Sequence, residues 1–215
     1  MKRRNLILAG GAMALTGGGL MFVRRDAPQA EEVAAVQSGD VESMPEMAIG
    51  AVDAPITMIE YGSFTCVHCA NFHENVLPAL KADFIDTGKM RFVFREVFFD
   101  RYGLWAAMIA RCAGPEHYFG VSDILYAEQK AWIGSGDPVE IGENLRRIGL
   151  RAGLEADVLD ACLADSAQAE RMVANYSRQA QEDEITGTPS FIINGEKQPN
   201  MSLAGFREVL EGLHA

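Results

Sequence analysis

The stretch Gly62-Ser-Phe-Thr-Cys66-Val-His-Cys69 constrains this chain more than any other, because of what flanks it. Before it runs Ile56-Thr-Met-Ile-Glu-Tyr61, a short apolar segment after the turn Asp53-Ala-Pro55, which reads as a buried strand. After it, Phe72, Val76, Leu80 and Phe84 recur every fourth residue, predicting a helix from Cys66 to Asp86 that ends at Gly88. A strand that feeds a helix through C-x-x-C leaves both cysteines on the first helical turn. Unpaired N–H groups and the positive end of the helix dipole then stabilise a thiolate at Cys66, and Cys69 lies on the same face within bonding reach.

The remaining pattern extends this start into an α/β chain. Met90-Arg-Phe-Val-Phe-Arg-Glu-Val97 is rich in aromatic and β-branched residues and predicts a second strand. From Arg101 to Ile185 the pattern is helical, broken at Gly114-Pro115, at Gly134 to Pro138 and at Gly153. Ser190-Phe-Ile-Ile193 then reads as a strand, Asn194-Gly195 as a two-residue hairpin turn, and Glu196 to Gln198 as a short edge strand. Ser202 caps a last helix with the stripe Leu203, Phe206, Leu210 and Leu213.

Residues 1–30 have a different character. Lys2, Arg3 and Arg4 precede 18 uncharged residues from Leu6 to Val23, and Arg24 and Arg25 follow, the pattern of an export signal. The same stretch is just long enough to span a bilayer, so a signal that is cut and an anchor that is kept both stay open. Residues 31–46 read as a tether. The chain holds 19 basic and 30 acidic side chains, and loss of residues 1–30 leaves 14 against 29. So acidic a surface repels phosphate backbones and argues against nucleic acid as a partner. All four cysteines lie in the exported part, where an oxidising compartment permits two disulfides.

With the elements in this order, the chain resembles the DsbA-like thiol:disulfide oxidoreductases of the bacterial envelope. The resemblance rests on Cys66-Val-His-Cys69 after a strand, Gly187-Thr-Pro189 before the late strand and the helical block between, and covers about residues 44–213. It implies a thioredoxin-like fold with an inserted all-helical domain, residues 47–100 and 186–215 forming the two halves and 101–185 the insertion. It further implies a periplasmic enzyme that introduces disulfide bonds into unfolded exported polypeptides through a redox-active Cys66–Cys69 disulfide. The chain's own disulfide would be the only redox group, with no separate cofactor, and a quinone-linked membrane protein would reoxidise it. Cys66 is then the attacked sulfur, Cys69 the resolving one and His68 a tuning group. Pro189 is expected to be cis, with Thr188 touching the sulfurs where substrate strands dock, and Glu60 to be a buried acid serving Cys69. Threonine before such a proline also occurs in isomerase-like and reductase-like relatives, so those directions stay open.

Each of these residues also has a plainer reading. The dithiol could be a structural staple, although so small a loop adds little stability. With His73 and His68 it could be a zinc site, making the chain a metal-binding or holdase module. Haem attachment is excluded because Ala70, not histidine, follows the second cysteine. Glu60 could be a strand-end residue facing solvent. Cys112 and Cys162 fall on apolar stripes, either as buried thiols or as a pair closing a loop of some 50 residues.

Overall fold

The apolar run before the dithiol forms the middle of a five-stranded sheet, in a computed structural model that describes residues 44–214. The export signal expected over 1–30 and most of the tether expected over 31–46 lie outside the described residues. The strands are β1 (Met47–Ile49), β2 (Ile56–Gly62), β3 (Met90–Glu96), β4 (Ser190–Ile193) and β5 (Glu196–Gln198). They lie in the order β1-β3-β2-β4-β5. β2 and β3 run parallel, with Glu60 opposite Phe94, while β1, β4 and β5 pair antiparallel to their neighbours. Parallel neighbours need a crossover. Here it is α1 (Val67–Asn75), α2 (Leu77–Leu80) and a π-helical turn (Lys81–Ile85).

Between β3 and β4 the chain makes α3 (Arg101–Cys112), α4 (Tyr118–Ala127), α5 (Gln129–Ile133), α6 (Pro138–Arg151), α7 (Ala156–Ala164) and α8 (Ser166–Glu182). The chain returns through β4 and β5 to α9 (Leu203–His214). This is the thioredoxin-like arrangement with its helical insertion. Sheet and insertion share one apolar core: Met58, Phe72, Phe92, Phe191 and Phe206 are continuous with Ile109, Tyr118, Tyr126, Trp132 and Ile148.

Several local features depart from the sequence pattern. The helix expected over Cys66 to Asp86 breaks at Val76, because Pro78 has no N–H for the carbonyl of Glu74 and its ring crowds that carbonyl. The stripe survives the break, with Phe72, Val76, Leu80 and Phe84 all buried. β1 was expected neither as a strand nor as an edge. It lies just past the tether, whose last residues are fixed by Arg95 to Glu46 at 3.1 Å and by Arg111 to the Pro45 carbonyl at 3.2 Å. Leu213, assigned to the apolar stripe of the last helix, is exposed, because α9 turns its last residues away from the core that Phe206 and Leu210 enter.

Asp100 caps α3 by accepting from the N–H groups of Tyr102 and Gly103, and Asp137 caps α6 in the same way. The other end of α3 is pinned as well. Cys112 is bonded to Cys162 of α7, joining two helices across a sequence separation of 50. Replacing both cysteines by serine should therefore cost about 4 kcal/mol in the chain-entropy account, which lowers the thermal midpoint by about 10 °C for a domain of this size. Calorimetry of the double variant checks this, and an unchanged midpoint would show the bridge to be dispensable.

Candidate active site

β2 ends at Gly62 beneath the ring of Phe94. A Cβ at this position would sit 2.4 Å from that ring, so only glycine lets the chain leave the sheet so closely. The next four residues form a turn closed by Cys66 N–H donating to the Ser63 carbonyl at 3.0 Å. Gln129, buried on α5, donates to the carbonyls of Phe64 at 2.8 Å and Cys66 at 3.0 Å. From the other side Thr65 Oγ1 donates to Asp100 Oδ2 at 2.8 Å, so the carboxylate that caps α3 also holds the cysteine loop. Cys66 thereby becomes the N-cap of α1, with extended backbone and no side-chain cap on the helix's free N–H groups.

Both cysteines are free thiols here, and they differ in setting: Cys66 is half-buried and Cys69 fully buried. As a thiol, Cys66 Sγ donates to the carbonyl of Thr188 at 3.5 Å, and the Thr188–Pro189 bond is cis. As a thiolate it is held to a pKa of about 5, against an ordinary 9.0. The main cause is a hydrogen bond from the Cys69 thiol. The Thr188 hydroxyl, otherwise without a partner, and the backbone N–H groups of Cys69 and His68 add to it, against the opposing effect of burial. The same bond works in reverse on Cys69, whose pKa is driven far up by Cys66, by burial and by the charge of Glu60.

Glu60 is completely buried on β2, between Phe94 of β3 and Phe191 of β4. Its Oε2 lies 2.9 Å from His73 Nε2, and its Oε1 has no partner. Desolvation raises its pKa, with His73 pulling the other way. His73 itself is stacked on Tyr126 with ring centroids 4.1 Å apart and meets Phe94 edge-on at 5.4 Å.

Of the residues picked from the sequence, Cys66, Cys69, Thr188 and Pro189 come together, and Glu60 acts on the pair from within the sheet. His68 differs from expectation: its imidazole is exposed and only its backbone N–H reaches the thiolate, because the first-turn geometry points its side chain outward. The zinc alternative finds no geometry either. His73 is turned to Glu60, and among the described residues no three His, Cys, Asp or Glu side chains are grouped to hold a metal. Gln129, Asp100 and the pairing of His73 with Glu60 were not foreseen. Only His73 left a signal, being four residues after Cys69 and so on the same buried helix face.

Comparison with known proteins adds to this geometry. Residues 42–212 match the model of a thioredoxin family. The chain is 35% identical over 159 residues to a provisionally named protein-disulfide oxidoreductase of Rickettsia bellii, a match covering 74% of this chain and 60% of that protein. It thus spans about three fifths of the length of that relative. The crystal structure of alpha-DsbA1 from Wolbachia pipientis superposes with a TM-score of 0.72 at 32% identity, covering 80% of this chain and 92% of that one. BdbD from Bacillus subtilis in its oxidised form is similar in fold, with a TM-score of 0.70 at 22% identity over 79% and 94% of the two chains.

Titrating the reduced protein by thiolate absorbance should place the Cys66 midpoint at about 5. A midpoint near 9 would remove the first-turn account. Because the folded value lies below the unfolded one, the thiolate stabilises the reduced form fully above pH 9 and loses that effect as pH falls through 5. The stability of the reduced protein relative to the disulfide form should therefore rise from pH 5 to pH 9, read by denaturant unfolding of each form.

Proposed function

We propose, because this chain belongs to the DsbA-like family of thioredoxin-fold thiol:disulfide oxidoreductases, that it donates its Cys66–Cys69 disulfide to exported polypeptides in the periplasm. The carrying observation is the asymmetry of the pair: a half-exposed sulfur stabilised as thiolate beside a buried one held as thiol. A substrate thiolate attacks Cys66 Sγ, the Cys66–Cys69 bond breaks, and Cys69 leaves with the electron pair and takes up a proton. A second substrate thiolate then attacks the substrate sulfur of the mixed disulfide and expels Cys66 as thiolate. Departure is favoured because a sulfur with a pKa of about 5 is a better leaving group than an ordinary thiol, so oxidation of substrate runs downhill. That preference supports an oxidase over an isomerase or a reductase.

The other residues follow from position. Cis Pro189 keeps backbone beside Cys66, and the part-exposed Thr188–Pro189 segment is where an extended substrate strand would lie against the sulfur. Glu60 is the group that takes the Cys69 proton when the dithiol is reoxidised and returns it in the next cycle. The reoxidant fits a quinone-linked membrane protein, which removes the two electrons that each cycle leaves on the pair. Among the described residues no helix is long and apolar enough to cross a membrane.

Mixing the oxidised protein with a reduced, unfolded test protein should give one substrate disulfide per enzyme dithiol formed. Cys66→Ser should abolish this, and Cys69→Ser, mixed instead with a disulfide-bonded test protein whose bond the Cys66 thiolate attacks, should accumulate substrate joined to Cys66, visible on a non-reducing gel. Activity confined to a scrambled-disulfide substrate would overturn the oxidase reading.

A further inference from the structure

Exchange at Cys66–Cys69 moves one proton off Cys69 each time the dithiol closes and one back each time it opens. Glu60 can hold that proton, but Glu60 is 0% exposed and cannot pass it to solvent directly. Three buried polar atoms at this place have no partner in the chain: Glu60 Oε1, His73 Nδ1 and the Tyr126 hydroxyl. Orphaned buried polar atoms are rare and ask for a reason, such as water or a proton in transit. Glu60 and His73 are joined at 2.9 Å, and the His73 ring lies on the Tyr126 ring.

Beside them is a cavity of about 330 Å³, lined by His73 and Tyr126 on its inner side and by Glu74, Lys81, Asp123 and Ala127 at the surface. It has room for several waters. The other sides of the imidazole are closed by the rings of Phe72, Phe92 and Phe94, so β3 presents no charged group to it. The titratable groups around His73 are then Glu60 from β2, Cys69 and Glu74 from α1, Tyr118, Asp123 and Tyr126 from α4, and Lys81 from the π-helical turn. Burial raises the pKa of Asp123, which suits a proton acceptor at the cavity mouth.

We infer that His73 is a positioning residue that passes the Cys69 proton between Glu60 and water in this cavity. The inference rests on the dithiol reading above. When the dithiol closes, Cys69–SH gives its proton to the Glu60 carboxylate, and the resulting acid gives it to His73 Nε2 while Nδ1–H releases its own to cavity water. The ring is left protonated on Nε2. When the disulfide opens, water returns a proton to Nδ1, Nε2–H passes its proton to Glu60, and Glu60 reprotonates the departing Cys69 thiolate. One release and one uptake per cycle restore the starting tautomer, so no net charge accumulates. The His73 side chain is 2% exposed, so each passage needs a brief excursion of the cavity wall.

Dithiobis(nitrobenzoate) separates the steps. Attack of Cys66 on the reagent releases one coloured thiolate, and closure by Cys69 releases a second. In the full chain His73→Gln, which can still hydrogen-bond Glu60 but cannot relay, the first phase should keep its rate while the second slows roughly tenfold or more near pH 7 and recovers at high pH, where hydroxide removes the Cys69 proton. Ala127→Trp fills the cavity mouth from an exposed position without touching the Glu60–His73 pair, and it should slow the second phase alone. A second phase at wild-type rate in both variants, or one slowed equally at every pH, would overturn the relay. Absence of the first phase in the wild-type protein would instead remove the dithiol reading itself.

Discussion

The hydrogen bond between the two thiols of Cys66 and Cys69 is the interaction from which the chemistry of the molecule follows. It is the largest single influence on both groups, lowering one and raising the other, so the proton they share belongs to Cys69. The bond requires that Cys66 stand at the end of the helix and Cys69 one turn inside it. That turn carries N–H groups with no helical partner, and two of them, from His68 and Cys69, point at the outer sulfur. A symmetric pair with both sulfurs exposed or both buried would offer substrate no preferred sulfur and no preferred leaving group.

The rest of the fold can be read as what keeps that turn in place. Gly62 lets the chain turn off the sheet against the Phe94 ring, Gln129 fixes two carbonyls of the loop from α5, and Asp100 ties Thr65 to the start of α3. Two of these three anchors come from the helical block or its first cap. The block is therefore more than a cover: it supplies the polar contacts that hold the reactive loop, while the sheet supplies Glu60 and the strand that Pro189 leads into. The Cys112–Cys162 bond ties the far end of the helix that Asp100 begins to α7.

Much of this was legible in the sequence, and the omissions have physical reasons. Alternation, turn residues and the fourfold stripe identify β2, β3, β4, β5 and α9, because those segments carry the period of their own burial. β1 is three residues long and its pairing with β3 is long-range, so it leaves no periodic trace. The break at Val76 was written in Pro78 but was outweighed by an unbroken apolar stripe. Glu60 stands out in the sequence because a carboxylate inside an apolar strand is costly without a partner. That partner, His73, is supplied by the crossover helix and becomes visible only when α1 is laid over β2. His68 is a different case: its sequence position between the cysteines suggests a side-chain role, and the structure turns its backbone N–H to the Cys66 sulfur while its side chain is exposed.

Comparison of Glu60 and Glu96, the two buried carboxylates among the described residues, shows why Glu60 calls for a chemical account. Glu96 accepts from Arg111 Nε and Nη2 at 2.6 and 2.7 Å and from the Tyr118 hydroxyl at 3.0 Å, so both of its oxygens are engaged. A permanent cation faces it and compensates its charge. Glu60 has one partner on one oxygen, a residue that carries charge only when protonated, and its second oxygen faces none. Burial raises its affinity for a proton, and His73 opposes that only in part. A fold selecting only for stability would satisfy this acid as it does Glu96 or replace it with an apolar residue of the same size. A buried carboxylate whose affinity for a proton is raised, and whose charge also raises the pKa of Cys69, is what the proposed proton transfer at Cys69 requires.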